Sequence, residues 1–221
     1  FILYCLTILQ CGITRLLKEA WTLAIEALSW MEMRRLSERL ALAKTVQQLG
    51  ISDADAVRLA HMLVCETVRR RNFIDAFINR ALEPETISEF DLGIQAFLRL
   101  YVYQTRIAKN WTKINIEEAE NIAKLARSIL GWKTLRKVEH VLGELLTQKP
   151  KSILEDVNDE ERIGLLTFHP TWFVKYCFRT FGRQEAITLL EANTRSPPTY
   201  IRLNTLKAEE KEILEKLAEE D

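Results

Sequence analysis

Residues 53–82 read DADAVRLAHMLVCETVRRRNFIDAFINRAL, and their apolar positions recur every three or four residues. That period marks a helix with one buried face. Ser52 and Asp55 form an S-x-x-D capping signal ahead of it, and Pro84 ends it. The pattern repeats on both sides of this stretch. From Leu16 to Leu49, Leu, Ala, Ile, Trp and Met fall at helical spacing until Gly50, where a left-handed helix end costs glycine little. Residues 88–110, SEFDLGIQAFLRLYVYQTRIAKN, leave so little polar surface that they predict the central buried helix. Asn115 then caps NIEEAENIAKLARSILG, with glutamates first, basic residues later and Gly131 as the stop, an order that suits the helix dipole. KTLRKVEHVLGELLTQ closes a helical domain before Lys149, Pro150 and Lys151.

Composition agrees with a mostly α chain. Seven glycines and five prolines in 221 residues are too few for an all-β fold with many turns. The cysteines Cys5, Cys11, Cys65 and Cys177 are dispersed without a C-x-x-C pair, so they read as reduced thiols of a cytoplasmic protein. The apolar opening FILYCLTILQCGI is too short to span a bilayer, and its first cation, Arg15, follows the apolar run instead of preceding it. It is expected to be a buried first helix, with no membrane partner.

Formal net charge is zero, but Lys and Arg outnumber Asp and Glu by 21 to 17 in residues 1–150 and trail by 10 to 14 in 151–221. That asymmetry sets a boundary near 150, between a helical domain at 1–150 and a second unit at 151–221. The second unit reads as three helices (DEERIGLLTF, PTWFVKYCFRTFG, RQEAITLLEAN), a strand TYIRLNT and a helix AEEKEILEKLAEED. A lone strand needs ladder partners. Those partners are expected beyond Asp221 or in another chain, and both ends of the sequence look like cuts. No phosphate loop, dinucleotide fingerprint, H-E-x-x-H or EF-hand loop occurs, so neither a cofactor nor a metal site is expected in these residues.

His169 and Cys177 invite a catalytic reading. Eight residues apart on one helix they stand about 12 Å apart along the axis, too far for a nucleophile and its base. His169 instead suits a helix N-terminus opened by Pro170. Glu117, Glu118 and Glu120 fit the first turn of a helix more simply than a catalytic cluster. Trp21, Trp30 and Trp172 fall within apolar patterns and are expected in the core. Trp111, among Arg106, Lys109 and Lys113, is the tryptophan expected to lie exposed beside positive charge. Arg69, Arg70 and Arg71 place three guanidinium groups on one turn, suited to gripping phosphate.

These residues carry a resemblance. LAHMLVCETVRRRNFIDAFINRAL and FLRLYVYQTRIAKNWTKINIEEAENIAKLA resemble the NusB-like RNA-binding domain that begins the Sun/Fmu family of RNA cytosine-5 methyltransferases, with Arg69 to Arg71, Asp75 and Ile114 to Lys124 in matching places. His169, Pro170 and Trp172, then Asn193, Pro197, Pro198, Arg202 and Asn204, are similar to the family's H-P-x-W and N-x-x-x-P-P-x-x-x-R-x-N segments, which lead into a ferredoxin-like subdomain. The sequence departs from the family at Glu139 and His140, where valine and asparagine are usual. No glycine-rich S-adenosylmethionine loop or Pro-Cys nucleophile motif occurs before Asp221.

The resemblance implies an RNA-recognition portion that does not methylate by itself, with rRNA or tRNA and its own C-terminal methyltransferase domain as partners. S-adenosylmethionine would bind in that other domain. Arg69, Arg70, Arg71, Arg106, Lys109, Trp111, Lys113, Arg202 and Asn204 are the candidate RNA contacts. The alternative is a stand-alone NusB-like module acting in a ribonucleoprotein complex.

Overall fold

The computed structural model describes residues 2–111, 114–155, 157–195, 202–204, 206–207 and 209–220, with side chains from Arg15 to Ala218. Helix α1 (Ile2–Arg34) is followed by α2 (Glu38–Leu49), α3 (Ala54–Arg69) and α4 (Arg71–Leu82). The side chains of the apolar opening, expected to be buried, lie outside the described ones. The continuous period from Leu16 to Leu49 is therefore two helices. Arg35 turns left-handed at φ 55°, and Ser37 caps α2 by accepting from the Leu40 N–H. Gly50 ends α2 at φ 63°, as the sequence predicts.

Residues 53–82 also divide. Asp53, not Ser52, is the cap of α3, its carboxylate accepting from the N–H groups of Asp55 and Ala56. Arg70 leaves helical geometry at φ −109°, ψ 14°, so the arginine run straddles a joint.

Helix α5 (Leu92–Val102) begins later than Ser88 because Thr86 and Glu89 close a capping box around a short 3-10 turn at Ile87–Glu89. Every residue from Ile94 to Val102 is buried, which makes α5 the central helix. Trp21 of α1 packs its ring 6.5 Å from Phe97, and Phe97 lies 5.8 Å from Tyr101. Burial pushes the Tyr101 hydroxyl up to about 12, so it stays a neutral donor to the Leu142 carbonyl at 3.2 Å.

At its end α5 widens into a π turn, Tyr103–Ile107, where the Ala108 N–H donates to the Tyr103 carbonyl five residues back at 2.8 Å. One extra residue in a turn rotates the side chains beyond it around the helix axis. Asn115 then caps α6 (Ile116–Leu130), accepting from the Glu118 N–H as the sequence predicts. The segment expected as one last helix is two, α7 (Trp132–Leu135) and α8 (Glu139–Thr147).

Beyond a 3-10 turn at Pro150–Ile153 stand α9 (Asp159–Leu166), α10 (Thr171–Phe181) and α11 (Arg183–Thr194). Ile153 and Leu165 still belong to the large core, whereas Val174, Cys177, Ala186 and Leu190 form a small second one. Pro170 is the cap of α10, one place before the position expected for it. Of the predicted strand, residues 199–201 and 205 lie outside the described ones, and Arg202 to Asn204 show no strand pairing. Helix α12 (Glu210–Glu220) lies where a helix is predicted, with Leu214 and Leu217 exposed.

Candidate nucleic-acid interface

The joint at Arg70 positions the arginine run, and it does so for a structural end. Asn72, on the first turn of α4, donates from Nδ2 to the Gly164 carbonyl at 3.0 Å and to the His169 carbonyl at 2.9 Å. Two carbonyls far along the chain converge there because His169 N–H donates to the Gly164 carbonyl at 2.8 Å, closing the turn after α9. A Cβ on Gly164 would stand 2.6 Å from the His169 oxygen, so only glycine fits. Phe168 turns left-handed at φ 59° and sets its ring edge-on to Phe73 at 6.0 Å, with the Arg70 guanidinium 5.3 Å from the same ring.

Each arginine of the run has a carboxylate. Arg69 reaches Glu66 at 3.0 Å but stays half exposed; Arg70, mostly buried, grips the same Glu66 and lies over Tyr103. Arg71 pairs with Glu32 and with Asp75 at 3.2 Å. Asp75 is itself held bidentately by Arg99, at 2.6 and 3.1 Å, and Arg99 is only 4% exposed. Phosphate would have to compete with Glu66 for Arg69 and with Glu32 and Asp75 for Arg71.

Arg106 and Trp111 correct the sequence reading. Arg106 is 5% exposed, and its Nε and Nη1 have no hydrogen-bond partner among the described residues. Burial without a carboxylate lowers its pKa from the ordinary value. Trp111 is packed against Phe73 and Phe77 at 5.5 and 5.2 Å, with Arg106 stacked on its ring. The π turn and the left-handed Asn110 and Trp111 swing this segment inward, which buries Arg106 and leaves Trp111 partly exposed. Lys109 is half exposed and pairs with Glu118 at 3.3 Å. Lys113 lies outside the described residues. Arg202 and Asn204 are exposed, with no hydrogen bond, ion pair or ring contact to the arginine run among the described residues.

Trp172, expected in the core, is 70% exposed. Helix α10 buries only Val174 and Cys177, which leaves Trp172, Tyr176 and Arg179 together on its outer face. Arg179 lies 6.0 Å over the Tyr176 ring, an arrangement on which an unpaired base can stack. The 172, 176, 179 spacing was a signal available in the sequence, masked by the neighbouring apolar residues.

His169 serves the joint. Its ring stacks on Phe173, with Nδ1 3.1 Å from the Thr167 hydroxyl and Nε2 3.5 Å from the Asn193 amide nitrogen. Burial lowers its pKa from 6.5, while a hydrogen bond with the Thr167 backbone opposes that shift. A neutral ring accepts from Asn193 at Nε2 and donates to Thr167 from Nδ1, and Cys177 is wholly buried away from solvent. His61 and Cys65 do meet, Nε2 to Sγ at 3.4 Å, but burial and then Glu38 push the Cys65 thiol up. A nucleophile requires the opposite shift.

Comparison with known proteins gives this geometry a family. Residues 18–129, just over half of the chain, match the NusB family, and residues 169–221 match the ferredoxin-like domain of RsmF/B-like methyltransferases. The chain belongs to the NusB family. It is 27% identical over 204 residues to a probable ribosomal RNA small subunit methyltransferase B of Bacillus subtilis, covering 90% of this chain and 43% of the relative. The chain thus spans less than half the length of that curated relative. Among solved structures, PH0851 superposes with a TM-score of 0.62 at 18% identity, covering 91% of this chain and 44% of that one. A chain from the complex of antitermination factors NusB and NusE with dsRNA gives 0.51 at 23%, covering 60% and 96%. These two structures establish the helical fold.

Proposed function

We propose that this chain is the RNA-recognition portion of an S-adenosylmethionine-dependent RNA cytosine-5 methyltransferase acting on ribosomal RNA. The observation that carries this reading is the order of the two matches on one chain, a NusB domain followed by the methyltransferase family's ferredoxin-like segment. The Asn72 joint supports it, because two hydrogen bonds tie the helical domain to the segment where the second match begins. On this reading the helical domain occupies residues 1–150 and positions RNA for chemistry performed elsewhere in the whole protein.

S-adenosylmethionine would supply the methyl group in a domain that these residues do not form. What the chain's own residues contribute is contact and alignment. Half-exposed Arg69, Arg71 and Lys109, with the exposed Arg202 and Asn204, are the groups assigned to phosphate on this reading. Trp172 and Tyr176 offer a surface for a base. Wholly buried Cys177 takes no part as a nucleophile.

Fluorescence anisotropy with small-subunit rRNA fragments tests the reading across a salt series. Binding that weakens steeply with salt is expected, with Arg69→Ala lowering the log–log slope by about one. Arg69 is chosen because Arg70 and Arg71 also hold the fold together. Absence of RNA binding at low salt, or affinity indifferent to salt, would overturn the proposal.

A further inference from the structure

Where α1 ends and α4 begins lies a cavity of about 240 Å³. It brings together Arg35 from the α1–α2 turn, Arg71 from α4 and Arg99 from α5, with Glu32 beside them. Leu28, Met31, Leu36 and Val68 form an apolar wall. Thr67 also lines it, 1% exposed, with a hydroxyl that has no hydrogen-bond partner among the described residues.

The pairing inside the cluster is unequal. Arg99 commits Nε and Nη2 to Asp75 and Nη1 to Glu32 at 3.3 Å. Arg71 commits Nη1 to Glu32 and Nε to Asp75, which leaves Nη2. Arg35 is exposed and, among the described residues, holds no carboxylate. Three guanidinium groups against two carboxylates leave one positive charge, and it resides on Arg35. The backbone places that residue at φ 55°, in the left-handed region that favours glycine, which turns the chain between α1 and α2.

We propose that this cavity is an anion site for a backbone phosphate of RNA, held by Arg35 together with Nη2 of Arg71. The assignment rests on the RNA-recognition reading above. A volume below the roughly 300 Å³ at which small-molecule pockets begin admits a group and not a whole ligand. A backbone phosphate carries its charge on two free oxygens, and each can accept from a guanidinium on a different element. The vacant donors here sit on two elements, which is the arrangement phosphate satisfies.

The test uses the full chain with its arginine side chains isotopically labelled, titrated with inorganic phosphate and followed by NMR at the Nε–Hε groups. Saturable shifts at Arg35 and Arg71 are expected, and Arg35→Gly should abolish the response at Arg71. Glycine is the substitution of choice because it takes a φ of 55° freely, and an unchanged circular dichroism melt checks the fold. With an rRNA hairpin near 100 mM salt, Arg35→Gly should weaken binding about 5-fold and lower the salt slope by about one. Wild-type RNA binding that Arg35→Gly leaves intact overturns the cavity alone. Failure of the wild-type chain to bind RNA, with phosphate still shifting Arg35, overturns the RNA-recognition reading. Shifts produced by an acidic peptide but not by phosphate overturn the phosphate assignment in favour of a protein partner.

Discussion

Around α5 the buried side chains run from Ala20 in α1 to Leu165 in α9, whereas the core between α10 and α11 consists of Val174, Cys177, Ala186 and Leu190. Apolar burial scales with the area removed from water, so the first region has stability to spare and the second has little. What the small region lacks in burial it gains at the joint, from Asn72, Gly164 and the ring of Phe168 lodged against Phe73. The two regions teach where the chain is robust and where a single group decides.

Phe97→Ala should be the most damaging change, because the ring is wholly buried and touches both Trp21 and Tyr101. A loss of about 3–5 kcal/mol is expected, read as a lower midpoint in urea unfolding. If the small region is the dependent one, this variant should lose both regions together.

At the joint, Asn72→Ala removes three hydrogen bonds, two donated to the Gly164 and His169 carbonyls and one accepted from the Phe73 N–H, an expected cost of about 1–3 kcal/mol. Hydrogen exchange should speed up in α10 and α11 while α5 keeps its protection. Equal acceleration in both would show that the regions are one cooperative unit. Gly164→Ala should reproduce the pattern more strongly, since its Cβ meets a backbone oxygen.

The smallest effect concerns pH. The His169 pKa is lowered in the folded chain, so the unfolded chain binds its proton more readily. The stability this contributes is full above the unfolded value of 6.5 and is lost as pH falls through the lower folded value. His169→Asn should flatten the dependence of the melting temperature on pH below 6.5, and an unchanged profile would remove His169 from the joint's balance.

Much of the helical order was legible, and the failures have local causes. The period along 53–82 identified the buried faces of α3 and α4 but not the joint between them, since Arg70 is neither glycine nor proline. The same holds for Arg35, where a left-handed arginine interrupts an unbroken pattern. Neighbouring cations suggested an exposed Trp111, whereas the π turn and the left-handed Asn110 and Trp111 turn its ring toward Phe73 and Phe77, and composition carries no sign of that. Trp172 was misread in the opposite direction. Its helix had the spacing of a buried face, but only one stripe of α10 found a partner. The cap at Asn115 and the stop at Gly50 were read correctly because each rests on one residue's own chemistry.

The turn at Gly164 also has a geometric meaning. Helix α10 starts directly after His169 and Pro170 and runs for 11 residues, about 16 Å. An angular slack of about 10° at its base would move its far end by about 3 Å, the length of a hydrogen bond. The paired carbonyls under Asn72 therefore set an aiming tolerance. With Gly164 and the Phe168 ring, that amide sets the direction of α10 and, through the core they share, of α11.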